Sequence, residues 1–186
     1  GDVVLVFSRD RLTELERRHG IPAGELLPAL VKSQPARLAA VGAISLDQWR
    51  HEVASIVGEA AVAEWLDDHG DLNEPVVEIL HRARRCGIQV LLLSNASTRL
   101  WDDLDHHGIR GLADRVFCSA DIGVAKPDRR AYEYVVRSAS LDVGRTLYVD
   151  DTASWVQAGR ALGMRGYVYD TPDELRDELT VLGVTL

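Results

Sequence analysis

The sequence predicts an α/β fold, a Rossmann-like parallel sheet joined to a helical insert. Two observations carry this. After residue 75, short apolar runs alternate with helical stretches, the pattern of a parallel sheet covered on both faces. Between residues 11 and 74 every periodic stretch reads as helix, and no strand is convincing.

The elements follow in order. Val3 to Phe7 is an opening apolar run. Arg11 to His19 is a short helix stopped by Gly20, and Pro22 to Val31 is a second candidate. Ser45 and Gln48 form an S-x-x-Q capping box that opens a helix to about Val57. Ala60 to His69 follows, stopped by Gly70. Pro75 to Cys86 is a helix with Pro in its first turn and Gly87 at its end. Ile88 to Leu93 is a continuous apolar run, as expected of a strand buried on both faces. Then come helix Thr98 to His107, strand Val116 to Cys118, helix Asp128 to Ser138 and strand Thr146 to Val149. Helix Ala153 to Leu162, strand Gly166 to Tyr169 and a helix capped by Thr171 complete the chain. The reading divides into residues 1–10 as the start of a core, 11–74 as a helical insert and 75–186 as the α/β core.

Composition narrows the function. A chain of 186 residues with 46% hydrophobic side chains can bury a real core. A formal net charge of -8 argues against non-specific nucleic-acid binding, which depends on neutralising phosphates. It leaves room for an anionic small substrate, because a local pocket can be positive on an acidic protein. Cys86 and Cys118 lie in no C-x-x-C pair, which speaks against a zinc site or a disulfide framework and for a reducing, cytoplasmic setting. No apolar run is long enough to cross a bilayer, so no membrane role is expected.

Three polar clusters carry the chemistry. Ser94-Asn95 ends the strongest apolar run, where a hydroxyl and backbone N–H groups can grip a phosphoryl oxygen. The same pair would serve as a helix cap. Lys126-Pro127-Asp128 precedes a helix, and its ammonium could neutralise a carboxylate and a phosphate together. Lys126 is one of only two lysines, the other being Lys32. Asp150-Asp151 follows a strand. Adjacent carboxylates there repel unless a cation or a basic partner joins them, and hard oxygen ligands suit Mg²⁺. Parallel sheets bind ligands at the carboxyl ends of their strands, and all three clusters fall there.

Taken together in this order, the three clusters resemble the second, third and fourth motifs of the haloacid dehalogenase (HAD) superfamily. The resemblance covers residues 75–186, and residues 11–74 resemble the small helical cap that such proteins insert after the first strand. It implies a phosphohydrolase acting on a small phosphorylated metabolite through an aspartyl-phosphate. Ser94, Asn95 and Lys126 would hold the transferring oxygens. Asp150 and Asp151 would hold Mg²⁺, with Gly1 offering it a backbone carbonyl. The cap would select the substrate, with Trp49, Trp65 and nearby arginines as candidates. A receiver domain uses a similar set, but with the acidic pair first and the lysine last.

The family's first motif, Asp-x-Asp-like at the end of the first strand, fits in either of two registers. In one, Gly1-Asp2-Val3-Val4 is the tail of an Asp-x-Gly-x-Val variant, and the nucleophile lies two residues before Gly1. This register needs no gap and accounts for the glycine. In the other, Val3 to Phe7 is the first strand, Ser8 replaces the nucleophile and Asp10 keeps the acid/base position. Serine there, with no base in evidence, is a poor phosphate acceptor, and the protein would be a binding or regulatory relative. A haloacid dehalogenase is a third reading, disfavoured by the acidic pair because that reaction needs no metal. Trp155 departs from the family pattern, since many relatives carry an asparagine there that orients the lysine. Trp155 cannot accept a hydrogen bond, so Lys126 must be held in another way.

Overall fold

The computed structural model describes residues 2–184 of the protein. A short strand, β1 (Leu5–Val6), leads into five helices: α1 (Arg9–His19), α2 (Leu26–Val31), α3 (Gln34–Ala39), α4 (Leu46–Val57) and α5 (Glu59–Leu66). The chain returns along β2 (Asp71–Leu72), which pairs antiparallel with β1, Leu5 opposite Leu72. These two strands form a stem at the base of the helical segment. The second half runs α6 (Glu74–Arg85), β3 (Leu91–Ser94), α7 (Leu100–His106), β4 (Arg115–Cys118), α8 (Ser119–Ile122) and α9 (Arg129–Ser138). It ends with β5 (Leu147–Asp150), α10 (Ala153–Arg160), β6 (Arg165–Val168) and α11 (Pro172–Val181). No helix among the described residues is long and apolar enough to cross a membrane.

The helical segment has its own apolar centre, in which Leu26, Trp49, Val53 and Val62 are almost wholly buried. Each such side chain contributes about 1.5–3 kcal/mol relative to leaving it in water. The capping box at Ser45 forms as the sequence predicts, with both reciprocal bonds to Gln48. The helix expected from Pro22 starts only at Leu26. The buried Glu16 carboxylate accepts the N–H groups of Gly24 and Leu26 at 3.0 Å, so residues 22–25 wrap around it as a turn. Helix α3 was not legible as an amphipathic repeat. Ser33 caps it by accepting the Ala36 N–H, and Pro35 sits in its first turn.

Two sequence expectations fail in the sheet. First, a strand does lie between residues 11 and 75, because β2 closes the stem. Second, the sheet is not continuous. Strand β3 pairs in parallel with β4, and β5 with β6, but the two pairs do not bond to each other. Residues 91–93, part of the run from Ile88 to Leu93 expected to be buried on both faces, are therefore only half-buried. Residues of β3 and β5 face a shared cavity of about 2020 Å³. Small-molecule sites occupy roughly 300–1,000 Å³. The space is large enough to hold more than a substrate.

Candidate active site

The site is built at the carboxyl ends of β3 and β5. Ser94 is the last residue of β3, and Asn95 opens the loop that follows. The Asn95 side chain brackets the backbone of Lys126. Its amide donates to the Lys126 carbonyl at 2.7 Å, and its oxygen accepts the Lys126 N–H at 2.8 Å. This fixes the loop that carries the lysine. It also commits the Asn95 amide to the Lys126 backbone, so the side chain organises the loop.

Lys126 is 7% exposed. Its ammonium donates to the Leu93 carbonyl at 2.9 Å and to Asp150 Oδ2 at 2.7 Å. It therefore bridges the ends of two strands that do not otherwise pair. The indole of Trp155 lies 4.6 Å from the ammonium, and the attraction of a cation for the ring face replaces the missing side-chain acceptor. Burial pulls the Lys126 pKa down while the Asp150 charge pushes it up, and burial prevails.

Asp150 is 4% exposed, and both of its carboxylate oxygens accept hydrogen bonds. Besides Lys126, Oδ2 accepts the Tyr148 hydroxyl at 2.7 Å, and Oδ1 accepts the Thr152 N–H at 3.0 Å. Burial alone would raise its pKa, but the Lys126 charge and these hydrogen bonds carry it below the ordinary value. The Tyr148 hydroxyl is driven far above its usual value by burial and by Asp150, so it stays a proton donor. Tyr132 packs edge-on against Tyr148 at 5.3 Å, and burial pushes its pKa up to about 12. Asp151 is exposed on the solvent side of the pair, and partial desolvation with the neighbouring Asp150 charge raises its pKa.

Ser94, Asn95, Lys126, Asp150 and Asp151 all line the one cavity. Asp10 does not join them. It is exposed in the first turn of α1, where a carboxylate favours the positive end of the helix. Ser8 is the residue that caps α1, its hydroxyl accepting the Arg11 N–H at 3.3 Å. The register that puts Ser8 and Asp10 at the end of a central strand is thus overturned: the strand before them is β1, and it belongs to the stem with β2. Gly1 lies outside the described residues. Sequence reasoning missed Tyr148, whose alternation within β5 was its only signal, and it missed the part Trp155 plays.

Two carboxylates of different exposure suit Mg²⁺, which takes one or two carboxylates and completes its shell with water and phosphate oxygens. Among the described residues no three His, Cys, Asp or Glu side chains cluster as a self-sufficient metal site. The pair therefore fits an ion shared with a phosphorylated ligand better than an ion held by protein alone.

Comparison with known proteins places the chain in a family. The family model for haloacid dehalogenase-like hydrolases matches residues 7–163. A phosphatase of Mycobacterium tuberculosis is 36% identical over 113 residues, which cover 58% of this chain and 52% of that protein. The match thus spans about half the length of that relative. The D-ribitol-5-phosphate phosphatase of Bacteroides thetaiotaomicron is 22% identical over 153 residues, covering 76% of this chain and 74% of that one. A HAD family enzyme of the same bacterium, solved with magnesium and inorganic phosphate, superposes with a TM-score of 0.77 at 19% identity. That superposition covers 91% of this chain and 90% of the other, and it shows the α/β fold with its helical elements.

Proposed function

The chain belongs to the haloacid dehalogenase-like hydrolases, and from that premise we propose that it hydrolyses a small phosphorylated metabolite with the help of Mg²⁺. The observation that carries the reading is Lys126. A buried ammonium that joins the Leu93 carbonyl to Asp150 at the mouth of the cavity is a fixed positive charge where two strand ends converge. Such a charge stabilises an anionic transition state without reorganising. Relatives named as phosphatases support the same class.

In this reading the helical segment of residues 11–74 is the cap that encloses the substrate. The phosphoryl oxygens meet Lys126, the Ser94 hydroxyl and the N–H groups of the loop after it. Asp150 and Asp151 hold the metal, which would neutralise charge on the transferring group. Asp150 also sets the position of Lys126, and Tyr148 holds Asp150.

The acceptor is an aspartate on a strand that fills the space between β3 and β5. Three observations support this. Both strands are half-buried on the cavity side, β1 is engaged elsewhere, and Asp2 to Leu5 line the same cavity. Polypeptide running into Asp2 is therefore placed to enter the space. The carboxylate would attack phosphorus as the P–O bond to the alcohol breaks, and the leaving alkoxide would take a proton from solvent water. Water would then hydrolyse the acyl phosphate and regenerate the carboxylate.

The test is phosphate release by the natural full-length polypeptide, with and without EDTA. Release should stop in EDTA, return with Mg²⁺ and be lost in Asp150→Ala. Release that survives EDTA, or is unchanged in that variant, would sink the proposal.

A further inference from the structure

One fully buried hydroxyl joins the helical cap to the loop that follows β3. Ser119, 0% exposed, is the first residue of α8. Its Oγ accepts the Ala96 N–H at 3.0 Å and donates to the Ala40 carbonyl. Ala40 is the cap residue just after α3. We propose that Ser119 is a latch, a positioning residue that couples the seating of the cap to the placement of the Asn95–Ala96 loop. The inference rests on the phosphohydrolase reading only for its purpose, which is to ready the loop when the cap closes.

The hydroxyl has one proton and a choice of acceptors. The Ala40 carbonyl holds it with the cap seated, and the Ala96 carbonyl lies 3.3 Å away as the alternative. If the cap lifts, the hydroxyl can rotate to Ala96 and leave no buried donor unpaired. An unpaired buried donor would make opening costly. The exchange makes the contact reversible while ensuring that the loop feels it.

A second feature brings the two backbones together at the same point. Gly42 has φ of +68°, and a Cβ there would lie 2.3 Å from the Ala120 carbonyl oxygen. Glycine is therefore required both by the left-handed backbone and by the close approach. Ala120 is the residue after Ser119, so the turn after α3 rests directly on the start of α8.

The route continues inward. Ala96 follows Asn95, whose side chain brackets the Lys126 backbone, and Lys126 holds Asp150. A ligand that draws the cap down thus also favours one position of the loop and, through it, of the lysine. Coupling of this kind is reciprocal.

Amide hydrogen exchange on the 186-residue chain tests it. Ser119→Ala removes both the acceptor of the Ala96 N–H and the donor to the Ala40 carbonyl, so exchange at the Ala96 N–H should rise about tenfold, the scale of losing one hydrogen bond. Protection of the β6 amides reports that the variant stays folded. The same variant carries the test to the far side, because Ala40 loses the Ser119 donor. The N–H groups of Gly42 and Ala43 bond within the cap, to Ala39 and Leu38. Their exchange should rise in Ser119→Ala, and unchanged exchange there would refute the proposal. The readout needs no turnover, so a chain without phosphatase activity could still show the latch, and an active one could still lack it.

Discussion

Replacing Lys126 by Met should destabilise the fold by about 3 kcal/mol at neutral pH. The ammonium and the Asp150 carboxylate are 2.7 Å apart, with side chains 4% and 5% exposed. At an effective dielectric of about 20 their attraction is about 6 kcal/mol, and several kcal/mol of desolvation for each ion oppose it. The net value of the pair is therefore small, but removing one partner leaves a buried charge, which typically costs about 3–5 kcal/mol. Asp150 would keep the Tyr148 hydroxyl and the Thr152 N–H, which places the loss near the lower end. The sign of the pH dependence follows. With Lys126 present, the Asp150 pKa lies below its unfolded value, so its stabilisation is present above about pH 4 and is lost as pH falls through the folded pKa. Without Lys126, burial dominates and the carboxyl protonates more readily, so the penalty should shrink as the solution is acidified from pH 7 toward pH 4. Urea unfolding at several pH values measures this. Adding Asp150→Asn should recover most of the loss, since the pair is then neutral. A loss below about 1 kcal/mol, a penalty that does not change with pH, or no recovery in the double variant would refute the reasoning.

Other perturbations reach the same network. Tyr148→Phe removes one charge-assisted bond to Asp150 and should cost about 1.5–3 kcal/mol, with acid unfolding beginning at a higher pH. Gly159→Ala should mimic it, because a Cβ would lie 2.9 Å from Tyr148 Cδ1 and push the ring off the carboxylate. The measured loss in urea should be about 1–3 kcal/mol, and a fully stable Gly159→Ala protein would show that the ring moves freely. Mg²⁺ should raise the thermal midpoint of the full-length protein in the presence of phosphate, and Asp151→Asn should abolish that rise. An undiminished rise would place the ion elsewhere.

Much of the fold could be read from local signals, and the residues show why. Capping at Ser45, Thr171 and Asp128 is local chemistry, and each of these side chains accepts a backbone N–H as its position suggests. Strand ends at Ser94 and Asp150 also lie where the apolar runs stop. What failed was long-range. Glu16 gathers residues 22–25 from across a turn, and nothing near Pro22 announces it. Strand β2 is two residues long and exists only because Leu5 and Val6 return to meet it. The same holds for the site. Lys126 and Asp150 were legible as residue types, but the ion pair that joins them, the Tyr148 hydroxyl behind it and the Trp155 face beneath it depend on contacts up to 29 residues apart.

The opening apolar run makes the point most sharply. Read alone, Val3 to Phe7 is as good a core strand as any, and Ser8-Arg9-Asp10 then looks like a degraded catalytic motif. Only the pairing partner separates the readings. A central strand in a parallel sheet needs neighbours running the same way on both edges, whereas Leu5–Val6 meets Asp71–Leu72 running the opposite way. Once that ladder forms, Ser8 is committed to α1 and Asp10 to solvent, and neither side chain is among those around Lys126. The edges of β3 and β5 that face the cavity are then left as a matched pair, whose carboxyl ends are tied by one ammonium. A single parallel strand between them would satisfy both ladders, and the residue at its carboxyl end would emerge beside Lys126, which is where a phosphoryl acceptor has to be.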